Sequence, residues 1–86
     1  MRIDLYKSNN LQVIHIAIFT DTGAVIDYCW ASYNISKNQY IIQLFKYPQN
    51  QLIDILIKEN ICTIVDNDNN DIITLTLTNY ALINLL

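Results

Sequence analysis

The sequence predicts an α+β fold: a mostly antiparallel sheet of five or six strands with one main helix packed on it. Two hairpin patterns, in residues 13–31 and 61–79, alternate apolar and polar residues around polar turns. Between them, residues 48–60 place apolar residues at helical spacing. The 86 residues fit the usual size of one domain, and no repeat or linker divides them, so we expect a single domain over residues 1–86.

The first strand and the first hairpin are predicted from residues 2–31. Ile3 and Leu5 alternate with polar neighbours, which is typical of a half-buried strand. In the hairpin, Asp21–Gly23 suits a three-residue turn in which glycine supplies the positive φ angle. Such a turn pairs Thr20 with Ala24 and so sets the register of both strands.

This register divides the hairpin into two unlike faces. One face is predicted to be wholly apolar, and its pairs are Ile18–Ile26, Ile16–Tyr28 and Ile14–Trp30. The other face is mixed, since it pairs His15 with Cys29 and Ala17 with Asp27. We therefore expect Tyr28 and Trp30 to lie in the core.

Residues 39–47 allow two interpretations. A Lys37-Asn38 turn would make them a third strand, with Phe45 opposite Trp30 and Tyr47 opposite Tyr28 on the apolar face. The residues 36–39 also spell a capping box, which would begin a helix. We favour the strand because its register extends the apolar face.

Residues 48–60 predict the main helix. Pro48 suits its first turn and Asn60 can end it. At about 100° per residue, five apolar side chains fill an arc of roughly 200°: Leu52, Ile53, Ile55, Leu56 and Ile57. So wide an arc predicts that the helix contacts the sheet and a further element.

The C-terminal third predicts a second hairpin and an apolar tail. Residues 61–65 and 72–79 are the two strands, joined by the polar loop 66–71. In the second strand, Ile73, Leu75 and Leu77 point to one side and the intervening threonines to the other. The tail 80–86 is too short for a stable isolated helix, so we expect it to dock on this subunit or on a neighbour.

Composition predicts a partner for this chain. Hydrophobic residues make up 52% of the sequence and charged residues 15%, which is more apolar material than so small a core comfortably absorbs. An apolar patch left in water usually marks an interface. We therefore expect a homo-oligomer, a dimer in the simplest case, or an obligate protein partner.

Charge and hydropathy disfavour several other classes. The net charge is −3 and the five basic residues are scattered, so we expect neither direct nucleic-acid binding nor docking on an anionic membrane. No apolar run is long enough to span a bilayer, and the N-terminus lacks a secretory pattern. We expect a cytoplasmic protein with reduced cysteines. The Ile- and Asn-rich composition is typical of AT-rich genes, such as those of phages and other mobile elements.

Asp21-Thr22-Gly23-Ala24 resembles the active-site signature of retroviral-type aspartic proteases. The resemblance implies a small all-β subunit in which Asp21 would be catalytic within a dimer, because two adjacent carboxylates can serve as acid and base. It covers residues 19–26 at most. The chain departs from the family pattern at Thr20, where an apolar residue is usual, and it has only one glycine for the turn, the flap and the later glycine segment.

Two further sets of residues have the types needed for a site. His15, Cys29 and Asp27 are predicted to converge on the mixed face, as a nucleophile with a base and an orienting acid would. The loop 66–71 has the first three oxygen ligands of a calcium loop but lacks its glycine and its final glutamate. We interpret the first set as packing and the second as a polar turn, and we predict no metal and no cofactor.

The function predicted is a small acidic, non-enzymatic protein-binding module, an inhibitor or immunity-type protein from a mobile element. The residues predicted to contact the partner are Tyr6, Tyr33, Tyr40, Tyr80, Asp66, Asp68 and Asp71. Acidic side chains suit the basic groove of a nucleic-acid enzyme. The alternatives are the aspartic protease with Asp21, and a structural subunit whose tail 80–86 inserts into a neighbour.

Overall fold

A computed structural model shows six strands and two helices and describes residues 1–9, 12–47, 50–66 and 70–85. The elements are β1 (Arg2–Lys7), β2 (Val13–Phe19), β3 (Val25–Asn34), β4 (Gln39–Phe45), α1 (Gln51–Lys58), β5 (Cys62–Asp66), β6 (Ile72–Leu77) and α2 (Asn79–Ile83). The strands form one sheet in the order β1-β2-β3-β4-β6-β5, with every neighbouring pair antiparallel. The predicted α+β class is confirmed.

The turn of the first hairpin is the one predicted. The Thr20 amide donates to the Ala24 carbonyl at 2.8 Å, and the Gly23 amide donates to the Thr20 carbonyl at 3.0 Å. Gly23 has a φ of 91°, a backbone angle that residues with a Cβ rarely adopt. The backbone conformation of the turn therefore accounts for the residues Asp21-Thr22-Gly23 without any catalytic role.

A β-bulge beyond this turn overturns the predicted register. Phe19 pairs with Val25, but Ile18 pairs with Asp27, so Ile26 is an extra residue in β3. Because the side-chain period of a strand is two, one added residue turns every later side chain to the opposite face. Cys29 therefore lies in the core, and the prediction that Tyr28 and Trp30 are buried is wrong.

The segment after the second turn is a strand, as favoured, but its aromatic residues are not buried. Asn38 adopts the left-handed conformation, with φ 53°, and lets β4 fold back on β3. The predicted pairing of Phe45 with Trp30 is wrong, because the Ser32–Ile41 pair sets a register in which Gln43 lies opposite Trp30 and Phe45 lies in line with Tyr28. Phe45 nevertheless shares the outward face of the sheet with Trp30. Phe45 is 69% exposed and Tyr47, beyond the strand, is 73% exposed.

The main helix is shorter than predicted and has well-defined ends. Asn50 is its N-cap, and the Asn50 side chain accepts the Leu52 amide at 3.0 Å. The predicted start at Pro48 lies outside the described residues. At the other end Asn60 takes a φ of 60° and the Ile61 amide donates to the Leu56 carbonyl at 2.9 Å, which forms a Schellman motif.

The core lies between one face of the sheet and the two helices. Leu52 and Leu56 of α1 and Ala81 of α2 are buried in one cluster with strand residues such as Ile16 and Leu75. The predicted inward face of β6 is confirmed, because Ile73, Leu75 and Leu77 are all buried. The tail docks on this subunit, with Leu82 and Leu85 against the core. No helix in the described ranges is long and apolar enough to cross a bilayer.

Candidate protein-contact face

The side of the sheet away from both helices, which we call the open face, is the candidate functional surface. Both helices pack into the core on the other side, so most of the alternate strand residues that face away from that core meet solvent, although Ala17 is covered by its neighbours. The residues of the open face include Asp4, Tyr6, His15, Ala17, Tyr28, Trp30, Ser32, Ile41, Gln43, Phe45, Thr74 and Thr76.

A row of rings crosses three strands on this face. Tyr6 of β1 stacks on His15 of β2 with ring centroids 5.0 Å apart, and His15 stacks on Tyr28 of β3 at 5.8 Å. Trp30 ends the row, 6.1 Å from Tyr28. The His15 Nδ1 and the Tyr28 hydroxyl are hydrogen-bonded. We call Tyr6, His15, Tyr28 and Trp30 the aromatic row.

The side chains of the aromatic row are held in place by contacts with one another and are also exposed to solvent. Trp30 is 57% exposed and Tyr28 is 41% exposed. Local desolvation, and then the charges of Tyr6 and Cys29, raise the pKa of Tyr28. The shift reinforces the neutral phenol that an ordinary tyrosine already has at physiological pH. Ordered, neutral aromatic surface of this kind is enriched where proteins meet partners.

A cleft of about 680 Å³ opens beside the aromatic row. Tyr28 and Trp30 line it on one side, and Asp66 and Thr74 line it on the other. Between them the Gln43 amide lies 3.5 Å from the Thr74 hydroxyl. The lining mixes aromatic and aliphatic residues with a comparable share of polar ones, including Lys37 and Asp66.

The four tyrosines predicted to contact a partner do not share one surface. Tyr6 belongs to the aromatic row. Tyr33 and Tyr40 face the core side, half-buried, with ring centroids 5.1 Å apart. Tyr80 is exposed on α2, away from the open face. The open-face residues that the sequence analysis missed are Tyr28, Trp30 and Phe45, and no local pattern signalled the bulge that exposes them.

Part of the predicted acidic surface can be placed. Asp66 lies at the end of β5 opposite Thr74 and lines the cleft. Asp71 precedes β6, and its carbonyl accepts the Lys46 amide at 2.8 Å. Asp68 lies outside the described residues. Within the described ranges no three His, Cys, Asp or Glu side chains are grouped as a metal site would need.

Asp21, the residue of the protease alternative, lies at the exposed tip of the first hairpin. Its side chain is 89% exposed and forms an ion pair with the amino group of Met1. The hydrogen bond from that amino group, and then its charge, lower the pKa of Asp21. Proton sharing between two aspartates therefore depends on a dimer that brings a second Asp21 to this turn.

The predicted convergence of His15, Cys29 and Asp27 is wrong. The bulge turns Cys29 into the core, whereas His15 stays on the open face opposite Trp30. Burial, and then the charge of Asp27, raise the pKa of Cys29 to about 12. A thiol with this pKa is not a nucleophile at neutral pH.

Comparison with protein-family models, curated proteins and solved structures finds no significant match to this chain.

Proposed function

We propose that this chain is a non-enzymatic protein-binding module that contacts its partner through the open face. The observation that carries the proposal is the exposure of Tyr28, Trp30 and Phe45 on one side of a sheet whose other side is covered by both helices. Tryptophan and tyrosine are the residues most enriched at the energetic centres of protein interfaces. Burying these side chains on a partner would stabilise the complex by about 25 cal/mol for each Å² of apolar surface removed from water.

The inhibitor or immunity class is part of this proposal. The net charge of −3 supports a partner with a basic surface. The cleft itself is lined by one residue of each charge, Lys37 and Asp66. A mobile-element origin rests on composition alone. A homodimer through the open face is the simplest form of the proposal, and a foreign partner is the other.

Site-specific photo-crosslinking tests the contact surface. Trp30→p-benzoylphenylalanine places a crosslinker on the open face, and Ile83→p-benzoylphenylalanine is the control at a more exposed position of α2, so exposure alone would favour adducts from the control. We expect adducts from position 30, to a second copy or to a protein of the source cell, and few from position 83. Light scattering over a wide concentration range separates the two kinds of partner. A monomer that gives no more adduct from position 30 than from position 83 would refute the proposal.

Charge neutralisation tests the inhibitor class. Asp66→Asn, Asp68→Asn and Asp71→Asn together should weaken binding of the crosslinked partner, because they remove three negative charges from one loop. Asp54→Asn, on the exposed side of α1, is the control for net charge. Unchanged affinity in the triple variant would remove the loop from the contact surface.

A further inference from the structure

The ladder between β3 and β4 is much shorter than either strand. β3 has ten residues and β4 has seven, yet they pair only over Ser32–Asn34 and Gln39–Ile41. Beyond these pairs β3 remains paired with β2, and β4 remains paired with β6 as far as Phe45. The sheet therefore divides into two arms, and we call the gap between residues 25–31 and 42–45 the fork.

The backbone register shows which residues present their hydrogen-bonding groups to the fork. The Tyr33 amide donates to the Gln12 carbonyl at 2.8 Å, towards β2. Because these directions alternate along an antiparallel strand, Tyr28 and Trp30 direct their amides and carbonyls away from β2 and into the fork. These backbone groups of β3 are the ones that would bond to β4 if the β3–β4 ladder continued.

The same reasoning applies to the other arm. The Lys46 amide donates to the Asp71 carbonyl at 2.8 Å, towards β6, so Gln43 and Phe45 direct their backbone groups into the fork. Ser32 and Ile41 form the last pair of the β3–β4 ladder, and in the same register Trp30 and Gln43 would face each other two residues further on. The fork thus has two facing strand edges.

Two backbone groups at the wide end of the fork form hydrogen bonds with side chains instead of with a strand. The Asp27 carboxylate accepts the Tyr28 amide at 2.8 Å, and the Asn50 amide donates to the Phe45 carbonyl at 3.0 Å. Buried or partly buried backbone groups need such partners when a ladder stops. Both partners are side chains, so an incoming backbone can replace them without breaking a ladder.

The cleft lies over this gap, since residues of both arms line it. Its lining includes Trp30 from one arm and Gln43 from the other. An extended chain rises about 3.3 Å per residue, so the four residues Asp27–Trp30 offer an edge of roughly 13 Å. A strand that pairs there would place its alternate side chains in the cleft and beside the aromatic row.

We propose that the fork receives an extended segment of a partner protein, whose backbone pairs with the Tyr28–Trp30 edge and whose alternate apolar side chains enter the cleft. This inference rests on the proposed function and specifies how the partner is held. A strand edge recognises a backbone of the right period, which only an extended polypeptide supplies. The chain's net charge of −3 favours a segment without acidic residues.

The probe is a displayed library of random linear eight-residue peptides selected on the full chain. One selected peptide is then synthesised with single N-methyl groups along its backbone. We expect N-methylation at alternate residues to weaken binding roughly three- to tenfold each, because each removes one ladder hydrogen bond. N-methylation at the intervening residues should change the affinity less than twofold.

Two variants locate the peptide. Trp30→Ala should weaken binding at least tenfold, whereas Tyr47→Ala, which removes a more exposed aromatic residue outside the strands, should leave it unchanged. Both positions are exposed, so neither change should unfold the chain.

The outcomes separate this inference from the proposed function. Failure to select any peptide, or affinities that do not alternate with N-methylation, overturns insertion into the fork. If position 30 still crosslinks to a protein in that case, the open face remains the contact surface. If only a second copy crosslinks there, the open face is a dimer interface and the partner segment is refuted.

Discussion

Cys29 and Cys62 illustrate how residue-level chemistry depends on burial. Both are buried free thiols in the same core cluster. Desolvation is the first cause that raises the pKa of each to about 12, followed by the charge of Asp27 for Cys29 and of Cys29 for Cys62. Their role is to fill the core, and their small size allows close packing beneath the sheet.

Both thiols should resist alkylation in the folded protein. With a pKa near 12, about one thiol in 10⁴ is ionised at pH 8, against about a quarter for an ordinary cysteine. We expect iodoacetamide at pH 8 to leave the native chain unmodified by mass spectrometry and to label both residues in urea. Rapid labelling of the native chain would show that the core around them opens.

The same pKa values predict a pH dependence of stability. Folding raises the pKa of both thiols well above the ordinary cysteine range, so the fold favours the protonated thiols. Their contribution is fully present below about pH 9 and is lost as the pH rises towards 12. The urea midpoint should therefore fall over this range. It should fall less steeply in the Cys29→Ala, Cys62→Ala double variant; an equal slope in both proteins would contradict the assignment.

Asn60 should matter for its backbone conformation. Its φ of 60° ends α1, and a residue with a Cβ and no local hydrogen-bonding side chain is strained there by about 1 kcal/mol. We expect Asn60→Ala to lower the free energy of unfolding by about this amount in urea titrations. Asn60→Gly is the control and should be neutral or stabilising. Equal losses in both variants would indicate that the side chain matters instead.

At the scale of secondary-structure elements, Thr78 connects β6, α1 and α2. Its hydroxyl accepts the Ala81 amide at 3.0 Å as the N-cap of α2 and donates to the Asn60 carbonyl at 2.7 Å. Its own amide donates to the Ile61 carbonyl at 3.0 Å. The end of β6, the end of α1 and the start of α2 therefore meet at one side chain, which explains how so short a tail is ordered on the core.

Thr78→Val tests this junction. Valine keeps the shape but loses both hydroxyl bonds, and we expect the free energy of unfolding to fall by about 1–2 kcal/mol. Thr78→Ser keeps the hydroxyl and should recover most of that loss. If the serine variant is as unstable as the valine variant, the methyl group rather than the hydroxyl holds the junction.

At the scale of the whole molecule, the core is one-sided and small. All the helical packing lies on one side of the sheet, where Leu56 is fully buried beside strand residues. The other side exposes aromatic residues that a second layer would ordinarily cover. Under the proposed function, stability and recognition would belong to opposite faces of the same sheet.

Leu56→Ala should be far more damaging than its neighbour Ile57→Ala. Loss of a fully buried leucine costs about 2–5 kcal/mol, which is a large share of the 5–15 kcal/mol typical of a whole domain. Ile57 is partly exposed, and we expect a loss of about 1 kcal/mol. Thermal unfolding followed by circular dichroism compares them, and similar losses would mean that α1 packs in another orientation.

Much of the fold follows from local patterns. The alternation in β1 and β6, the glycine of the first turn and the asparagine that ends α1 each satisfy a local requirement of the backbone, and each is where the sequence predicts it. The candidate contact face was mispredicted because its position depends on Ile26, a residue with strong strand propensity that is bulged here. Propensity describes a residue's own conformation and carries no information on which neighbour it pairs with.

The α+β class, the turns, the apolar side of the main helix and the surplus of apolar residues that predicts a partner all follow from the amino-acid sequence. Only the tertiary structure decided which side of β3 meets the core, and so whether Tyr28 and Trp30 are buried or presented. Both faces of that strand are apolar enough to be buried, so its sequence is compatible with either register. Core packing favours one of them, because the small Cys29 and Ala31 share a buried cluster with residues of both helices, where a tyrosine and a tryptophan would overfill the space.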